Sequence, residues 1–269
     1  MWKAKNASHI RTASTAAEYF NAKPKTTFTQ KIGHYHLDIK SYFDTISHEL
    51  LLRAVRKHTD CPWVLLYIER WLKAPVQLED GTFEPRERGT PQGSVISPLL
   101  SNLFLHYTFD RWMAQNHPDI PFERFADDAL CHCVTEARAK TLKEALEKRF
   151  AECGLQLHPE KTKIVYCKDD DRRGNSKHES FDFLGYSFRA RRSKNRFGKF
   201  FVNFSPGVSN AATKAIREEI RRWQLRCRID KWIDDLARMF NPVIRGWITY
   251  YGRYYSQHFI LRFAIWTDV

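Results

Sequence analysis

The chain has 269 residues, 43% of them hydrophobic and 14% aromatic, which excludes a disordered polymer and leaves room for one large domain or two modest ones. Lys and Arg outnumber Asp and Glu by 44 to 31, a formal charge of +13. That surplus favours a polyanionic partner, nucleic acid first, although composition alone fits a merely basic soluble protein equally well. No run approaches the roughly 20 apolar residues that a membrane span needs, and the opening MWKAKNASHIRTAST has no apolar signal core. A cytoplasmic, nucleic-acid-associated protein is therefore expected, with no membrane partner. Cys61, Cys131, Cys133, Cys153, Cys167 and Cys227 form no CxxC pair and read as reduced, buried thiols rather than a zinc site.

In chain order, residues 1–33 are polar and weakly patterned. From HYHLDI onward the pattern alternates: Tyr35, Leu37 and Ile39 share one strand face, His34, His36 and Asp38 the other. Ser47 suits an N-cap for HELLLRAVRKH, and WVLLYIERWLK after Pro62 reads as a second helix. LEDGTFEPRERGTPQGS is rich in turn residues and reads as a hairpin and loop. Ser97 and Pro98, as cap and first helical residue, open LLSNLFLHYTFDRWM.

The run RFADDALCHCV sets Asp127 and Asp128 between two short strand-like segments. Leu142, Leu146, Phe150 and Cys153 mark one face of a helix over 136–153, stopped by Gly154. KIVYC, FDFLGYSF and GKFFVNF read as strands. Beyond Ser205, Ile216, Ile220 and Trp223 stripe one helix and Trp232, Ile233, Leu236 and Phe240 the next, and Asn241-Pro242 is expected to break the chain before the aromatic helix VIRGWITYYGRYY. The order predicts an α+β domain over 34–204 and a helical domain over 205–269.

A doubled acid in a basic chain has two explanations. A solvated turn accounts for one Asp. Two neighbouring carboxylates, however, each raise the cost of ionising the other, and a divalent cation removes that cost. Asp38, on a strand face free of apolar residues, would be a third acid. If its strand pairs beside the 125–128 turn, three carboxylates meet on one open sheet face, a site for paired metal ions in phosphoryl transfer.

LDIKSYFDTI, GTPQGSVISPLLSNLFLH, FADD, GLQLHPEKTKIV and FDFLGYSF, in this order, resemble the palm motifs of reverse transcriptases. NPVIRGWITYYG resembles the start of the maturase (thumb) domain of group II intron-encoded proteins. The likeness covers about residues 36–255. It implies a palm with an antiparallel sheet, packed helices and a ferredoxin-like core, followed by a helical thumb. It further implies an RNA-directed DNA polymerase that uses two Mg²⁺ ions (Mn²⁺ as a substitute), an RNA template, a DNA primer and dNTPs, with a maturase role on intron RNA.

The resemblance assigns Asp38, Asp127 and Asp128 as catalytic metal ligands, with the carbonyl of Ile39 as a further ligand. Phe43 corresponds to a steric gate against a ribose 2′-OH, or is a core aromatic. Gln92 and Gly93 correspond to the loop lining the incoming nucleotide. Lys161 corresponds to a lysine beside the leaving pyrophosphate, with Lys163 as rival. Phe183, Leu184, Gly185 and Tyr186 correspond to the primer grip, Phe183 alternatively being core. Among basic residues, Arg189, Arg191, Arg192, Lys194, Arg196 and Lys199 form an acid-free run suited to phosphate or to a solvated hairpin. Arg217, Arg221 and Arg222 lie off the apolar stripe of their helix. Trp247, Tyr250, Tyr251, Tyr254 and Tyr255 divide between base stacking and core.

Residues 1–33 match nothing in the fingers region that precedes the palm in this family, and SQHFILRFAIWTDV does not resemble the continuing maturase helices. A truncated or interrupted reverse transcriptase is the resulting expectation. Two rivals stand beside the polymerase: a non-enzymatic RNA-binding maturase, and an inactive remnant. Other reverse transcriptase lineages share the palm motifs.

Overall fold

The computed structural model describes residues 33–252 except 78, 92, 171–173 and 175. The described residues divide into two compact units, 33–165 and 166–252. The sequence reading put the boundary at 204/205. The strands of FDFLGYSF and GKFFVNF instead group with the helices that follow them, because they pair with one another in a sheet of their own.

The first unit is built on a four-stranded sheet of order β4-β5-β1-β6, from β1 (Gly33–Leu37), β4 (Phe122–Phe125), β5 (Asp128–Cys133) and β6 (Lys163–Tyr166). β1 and β4 each pair antiparallel with β5. The alternation in HYHLDI is realised: Tyr35, Leu37 and Ile39 are fully buried, while His36 and Asp38 lie on the other face at intermediate exposure. Against the buried face packs a helical layer of α1 (Tyr42–Thr45), α2 (His48–Val55), α3 (Pro62–Lys73), α4 (Ser97–Leu105), α5 (Arg111–Asn116) and α6 (Glu136–Glu152). Between α3 and α4 lies the short hairpin β2 (Val76–Gln77) and β3 (Phe83–Glu84). Phe104, Phe109, Leu142, Leu146 and Phe150 fill the interior with Tyr35 and Leu37, each such side chain contributing about 1.5–3 kcal/mol through removal from water.

The helix ends follow their sequence signals with one exception. The Ser47 hydroxyl accepts from the Leu50 amide, and Thr135 accepts from Arg138. Ser97 does not cap α4; it is the first helical residue, and its hydroxyl donates to the Pro91 carbonyl at 2.6 Å, tying down the preceding loop. Between α4 and α5 the helix widens into a π-helical turn, His106–Asp110, an insertion frequent at functional sites.

In the second unit, β7 (Ser180–Phe183), β8 (Tyr186–Lys194) and β9 (Phe200–Val208) form an antiparallel sheet, followed by α7 (Asn210–Arg222) and α8 (Ile233–Tyr251). Ile216, Ile220 and Trp223 are buried as their stripe requires. Two expectations fail here. Pro242 does not break the chain but lies inside a single 19-residue helix, α8. Trp232 and Ile233, expected on the buried stripe, are both 81% exposed; the packed face of α8 is instead Phe240, Ile244, Trp247 and Tyr251. A continuous helix through Pro242 carries the apolar spacing on to Trp247, which stacks on Trp223 with Phe240; Trp232 is the N-cap and Ile233 the first helical residue, and the packing on the α7 cluster begins only further along α8, at Phe240.

Cys131, Cys133, Cys153 and Cys167 are buried, whereas Cys61 and Cys227 are exposed, and all six are unbridged. Among the described residues no helix is long and apolar enough to cross a membrane.

Candidate active site

Strand pairing brings the three acids to the same end of the sheet. Leu37 is the register partner of Ala129, so Asp38 leaves the end of β1 beside Asp128 at the start of β5. Asp127 and Asp128 themselves are delivered by the tight β4–β5 turn, in which Phe125 pairs with Asp128 and Ala126 takes a left-handed φ of 52°. Asp38 is further held through its backbone: its carbonyl accepts from the His158 amide at 2.8 Å and from the Thr162 hydroxyl at 3.3 Å. Its neighbour Ile39 is buried and bridges to Leu157.

The electrostatics of the acids are unbalanced. Burial, followed by the charge of Asp38, pushes the Asp127 carboxyl above the usual carboxylate range. Burial does the same to Asp128, opposed by His36 and reinforced by Asp127 and Asp38. The counter-charges on hand are few: Lys161 Nζ lies 3.2 Å from Asp38, and His36 Nε2 lies 4.0 Å from Asp128. Lys163, the rival to Lys161, is exposed on β6.

Hard carboxylate oxygens carrying uncompensated charge suit a hard divalent cation by donor type and by sign. The ligand set is not assembled, however: among the described residues no three His, Cys, Asp or Glu side chains stand close enough to hold a metal ion.

Below the turn lies a support that the sequence reading missed. Arg124, buried at the end of β4, donates to both oxygens of Asp110, each at 2.7 Å, to Asn102 Oδ1 at 3.0 Å, and to the carbonyl of Ala126 at 2.8 Å. The last contact grips the left-handed residue of the acid turn itself. Burial raises the Asp110 pKa, but hydrogen bonds from Arg124 and His106 outweigh it, and the carboxyl ends below the usual range. In sequence, Arg124 and Asp110 look like ordinary surface charges 14 positions apart. The only signal was that Asp110 falls among the apolar residues of LFLHYTFDRWM.

The GTPQG loop is bolted to the turn after β1. The Gly89 amide donates to Ile46 and the Thr90 amide to Phe43, at 2.8 and 2.7 Å, and a His48 ring nitrogen lies 2.7 Å from the Gly89 carbonyl. A β-carbon on Gly89 would stand 2.6 Å from the Phe43 carbonyl, so only glycine permits this approach. Gly93 has a φ of 84° with open space around it; Gln92 lies outside the described residues. Phe43 is half-buried, packed on the core and on the Tyr42 ring, so both of its readings stand.

In the second unit, Leu184 and Gly185, both with positive φ, form the two-residue turn between β7 and β8, with Phe183 and Tyr186 buried on either side. Residues of α8 brace this turn: Tyr250 donates to the Leu184 carbonyl at 2.8 Å, and the Tyr186 hydroxyl donates to the Tyr250 carbonyl. Burial raises the Tyr250 hydroxyl pKa to about 12. Trp247, Tyr250 and Tyr251 are thus engaged in internal packing rather than offered for stacking on bases, a division of the aromatics that spacing alone left open. Tyr254 and Tyr255 lie outside the described residues.

The basic run does not act as one patch. Arg191 turns inward, its guanidinium donating to the Ser205 and Ser187 carbonyls, because at that strand position the space above Gly207 admits it. It belongs to the hairpin's structure and is removed from the expected phosphate-binding set. Arg189, Arg192, Lys194, Arg196 and Lys199 are exposed, Arg192 lying 3.9 Å over the Phe200 ring and Arg196 4.7 Å over Phe197. Arg217, Arg221 and Arg222 are exposed on α7.

Comparison with known proteins adds the following. Residues 4–188 match the family described as "Reverse transcriptase (RNA-dependent DNA polymerase)", and residues 213–268 match "Group II intron, maturase-specific domain". The first match reaches into the N-terminal stretch that motif reading left unassigned, and the second runs through SQHFILRFAIWTD. The chain is 30% identical over 221 residues to Protein YkfC of Escherichia coli (strain K12), covering 70% of this chain and 55% of that one. It is 36% identical over 78 residues to the Group II intron-encoded protein LtrA of Lactococcus lactis subsp. cremoris, covering 29% of this chain and 13% of LtrA. It thus spans about half the length of the first relative and far less of the second. Among solved structures, telomerase from Candida albicans in complex with a fragment of telomeric RNA superposes with a TM-score of 0.56 at 14% identity, covering 90% of this chain and 43% of that one. Apo telomerase from Candida tropicalis truncated from its C-terminal domain gives 0.52 at 13% identity, covering 68% of this chain and 39% of that one. At such identities the likeness speaks for the fold, an α+β architecture of the reverse transcriptase palm type.

Proposed function

From the premise that the chain belongs to the reverse transcriptase family and carries a match to the group II intron maturase-specific domain, we propose that it is an RNA-directed DNA polymerase of the group II intron type. It would extend a DNA primer with dNTPs on an RNA template and assist intron RNA folding. The observation that carries the reading is the register of β1 with β5, which sets Asp38 beside Asp127 and Asp128 within a family match covering both strands.

In this reading Asp38, Asp127 and Asp128, with the Ile39 carbonyl, hold divalent cations, magnesium by preference. When bound, such ions would supply charge neutralisation to the phosphoryl oxygens and to the attacking hydroxyl. The chain's own residues do the rest. Arg124 fixes the turn that presents the acids. Lys161, its side chain 60% exposed and its ammonium beside Asp38, compensates charge on the departing pyrophosphate or donates a proton to it. The loop around Gly93, fixed to the Phe43 carbonyl through Thr90, lines the nucleotide, and the Phe43 ring excludes a ribose 2′-OH. The Leu184–Gly185 turn contacts the primer backbone. Arg189, Arg192, Lys194, Arg196, Lys199, Arg217 and Arg221 meet phosphates without reading sequence.

The test is primer extension on an RNA template with Mg²⁺, run beside Asp127→Ala. Incorporation by the parent and loss of at least 100-fold in the variant is the expected outcome; equal incorporation by both ends the assignment. The maturase-domain match and the exposed basic hairpin favour a second reading, an RNA-binding splicing factor without polymerase chemistry. Intron RNA binding that survives Asp38→Ala, with no extension by the parent, selects it.

A further inference from the structure

The helical layer of the first unit carries a basic groove that none of the proposed chemistry uses. A cleft of about 280 Å³ opens between α2, the π-helical turn and α6, lined in part by Arg53, Lys57, Tyr107 and Arg149. A second, of about 320 Å³, continues along α5 and adds Arg111 while sharing Lys57, Tyr107 and Arg149. Tyr107 is the hub. Lys57 Nζ lies 4.6 Å and Arg111 Cζ 5.6 Å from its ring centroid, and its hydroxyl is 2.9 Å from His58 Nε2.

Arg149 is built into the wall by bonds to the Thr108 and Tyr107 carbonyls. Those bonds reach carbonyls of the π-helical turn, so the widened turn and the cationic wall are one construction. The acid lining the groove, Glu152, is already 3.5 Å from Arg149. Among the described residues Arg53, Lys57 and Arg111 have no ion-pair partner, unlike Lys140 and Lys143 on the same layer, which pair with Glu136 and Glu147.

We propose that this groove is a second binding site for the phosphodiester backbone of nucleic acid, on the helical side of the unit and separate from the strand face that carries the acids. Lys57 and Arg111 lie over one aromatic ring, and Arg53 and Arg149 line the same clefts; like charges gathered in this way repel one another, and a polyanion relieves that repulsion. Two clefts joined through shared residues suit an extended chain of phosphates rather than a single ion. Arginine forks and a lysine, without a reading element, suit phosphate contact independent of sequence.

The test measures how binding of a blunt RNA duplex of about 20 base pairs depends on salt. It compares the parent with the triple variant Arg53→Gln, Lys57→Gln and Arg111→Gln. Each lost phosphate contact lowers the slope of log K against log salt by about 0.7–0.9, so a fall of about two to three is expected. A charge-matched control, Lys140→Gln, Lys143→Gln and Lys148→Gln, is expected to change the slope by less than about one. An unchanged slope in the groove variant, or an equal fall in the control, overturns the proposal. A cooperative melt in each variant establishes folding. Should the triple variant fail it, Arg111→Gln alone carries the test, with a slope loss of about one expected and no loss overturning it. Because a blunt duplex needs no nucleotide addition, the outcome is separate from that of the primer-extension assay.

Discussion

Asp110 and Asp127 are both withdrawn from water in the same unit, yet their carboxyls are displaced in opposite directions. Asp110 has the forked guanidinium of Arg124 against both oxygens and ends more acidic than an ordinary carboxylate. Asp127 and its neighbour Asp128 have each other and Asp38, with no guanidinium fork against their oxygens, and end less acidic. Arg124 joins the two, gripping Asp110 with one edge and the Ala126 carbonyl with another nitrogen. The contrast separates charge committed to the fold from charge held ready for something that binds.

The largest expected effect comes from breaking the committed pair. Arg124→Ala leaves Asp110 buried without its partner and should cost about 3–5 kcal/mol, read as a lowered urea midpoint. The double variant Arg124→Met, Asp110→Leu should recover most of that loss while still impairing extension, because the Ala126 carbonyl loses its grip. Recovery of extension as well would show that the pair serves stability alone.

Next in size is Gly89→Ala. The β-carbon would meet the Phe43 carbonyl and the Asp44 backbone within 2.9 Å at a φ of 81°, a strain of roughly 1–3 kcal/mol. A midpoint equal to the parent's would show that the loop can relax.

The pH dependence sharpens the contrast through its sign. The Asp110 pKa is depressed on folding, so its contribution is complete above the ordinary value of 3.8 and is lost as pH falls below it. Asp127 is raised, so its ionised form disfavours the fold, and stability declines as pH rises from 3.8 through the folded value. Asp127→Asn should therefore melt higher than the parent at neutral pH, the reverse of the usual outcome of substituting a partly buried polar residue. A lower melt would place Asp127 with Asp110. Smallest of all is Lys161→Met. Its ion pair with Asp38 is half open to solvent, so stability should change by no more than about 1 kcal/mol while extension falls.

The alternation around Asp38 and the helix from Glu136 were legible because each is set by local periodicity, whereas FDFLGYSF, read as a strand, folds back at Leu184–Gly185 into two. Motif order made the three acids legible as a set. What stayed hidden depends on pairing across distance. Arg124 and Asp110 meet only because β4 runs back over the π-helical turn. Arg191 turns inward because Gly207 on the facing strand leaves room for it. Pro242 looked like a stop, and local preference gave no hint that the packing of Phe240, Ile244 and Trp247 runs through it.

The central claim is that the acids at 127 and 128, beside Asp38, keep charge that the fold leaves uncompensated for a cation. Thermal melting against Mg²⁺ concentration at neutral pH tests this most directly, in the parent and in the double variant Asp127→Asn, Asp128→Asn. The parent should melt progressively higher as Mg²⁺ is added, whereas the variant, more stable at the outset, should stay flat. A parent indifferent to Mg²⁺, or a variant that climbs in parallel with it, would contradict the claim.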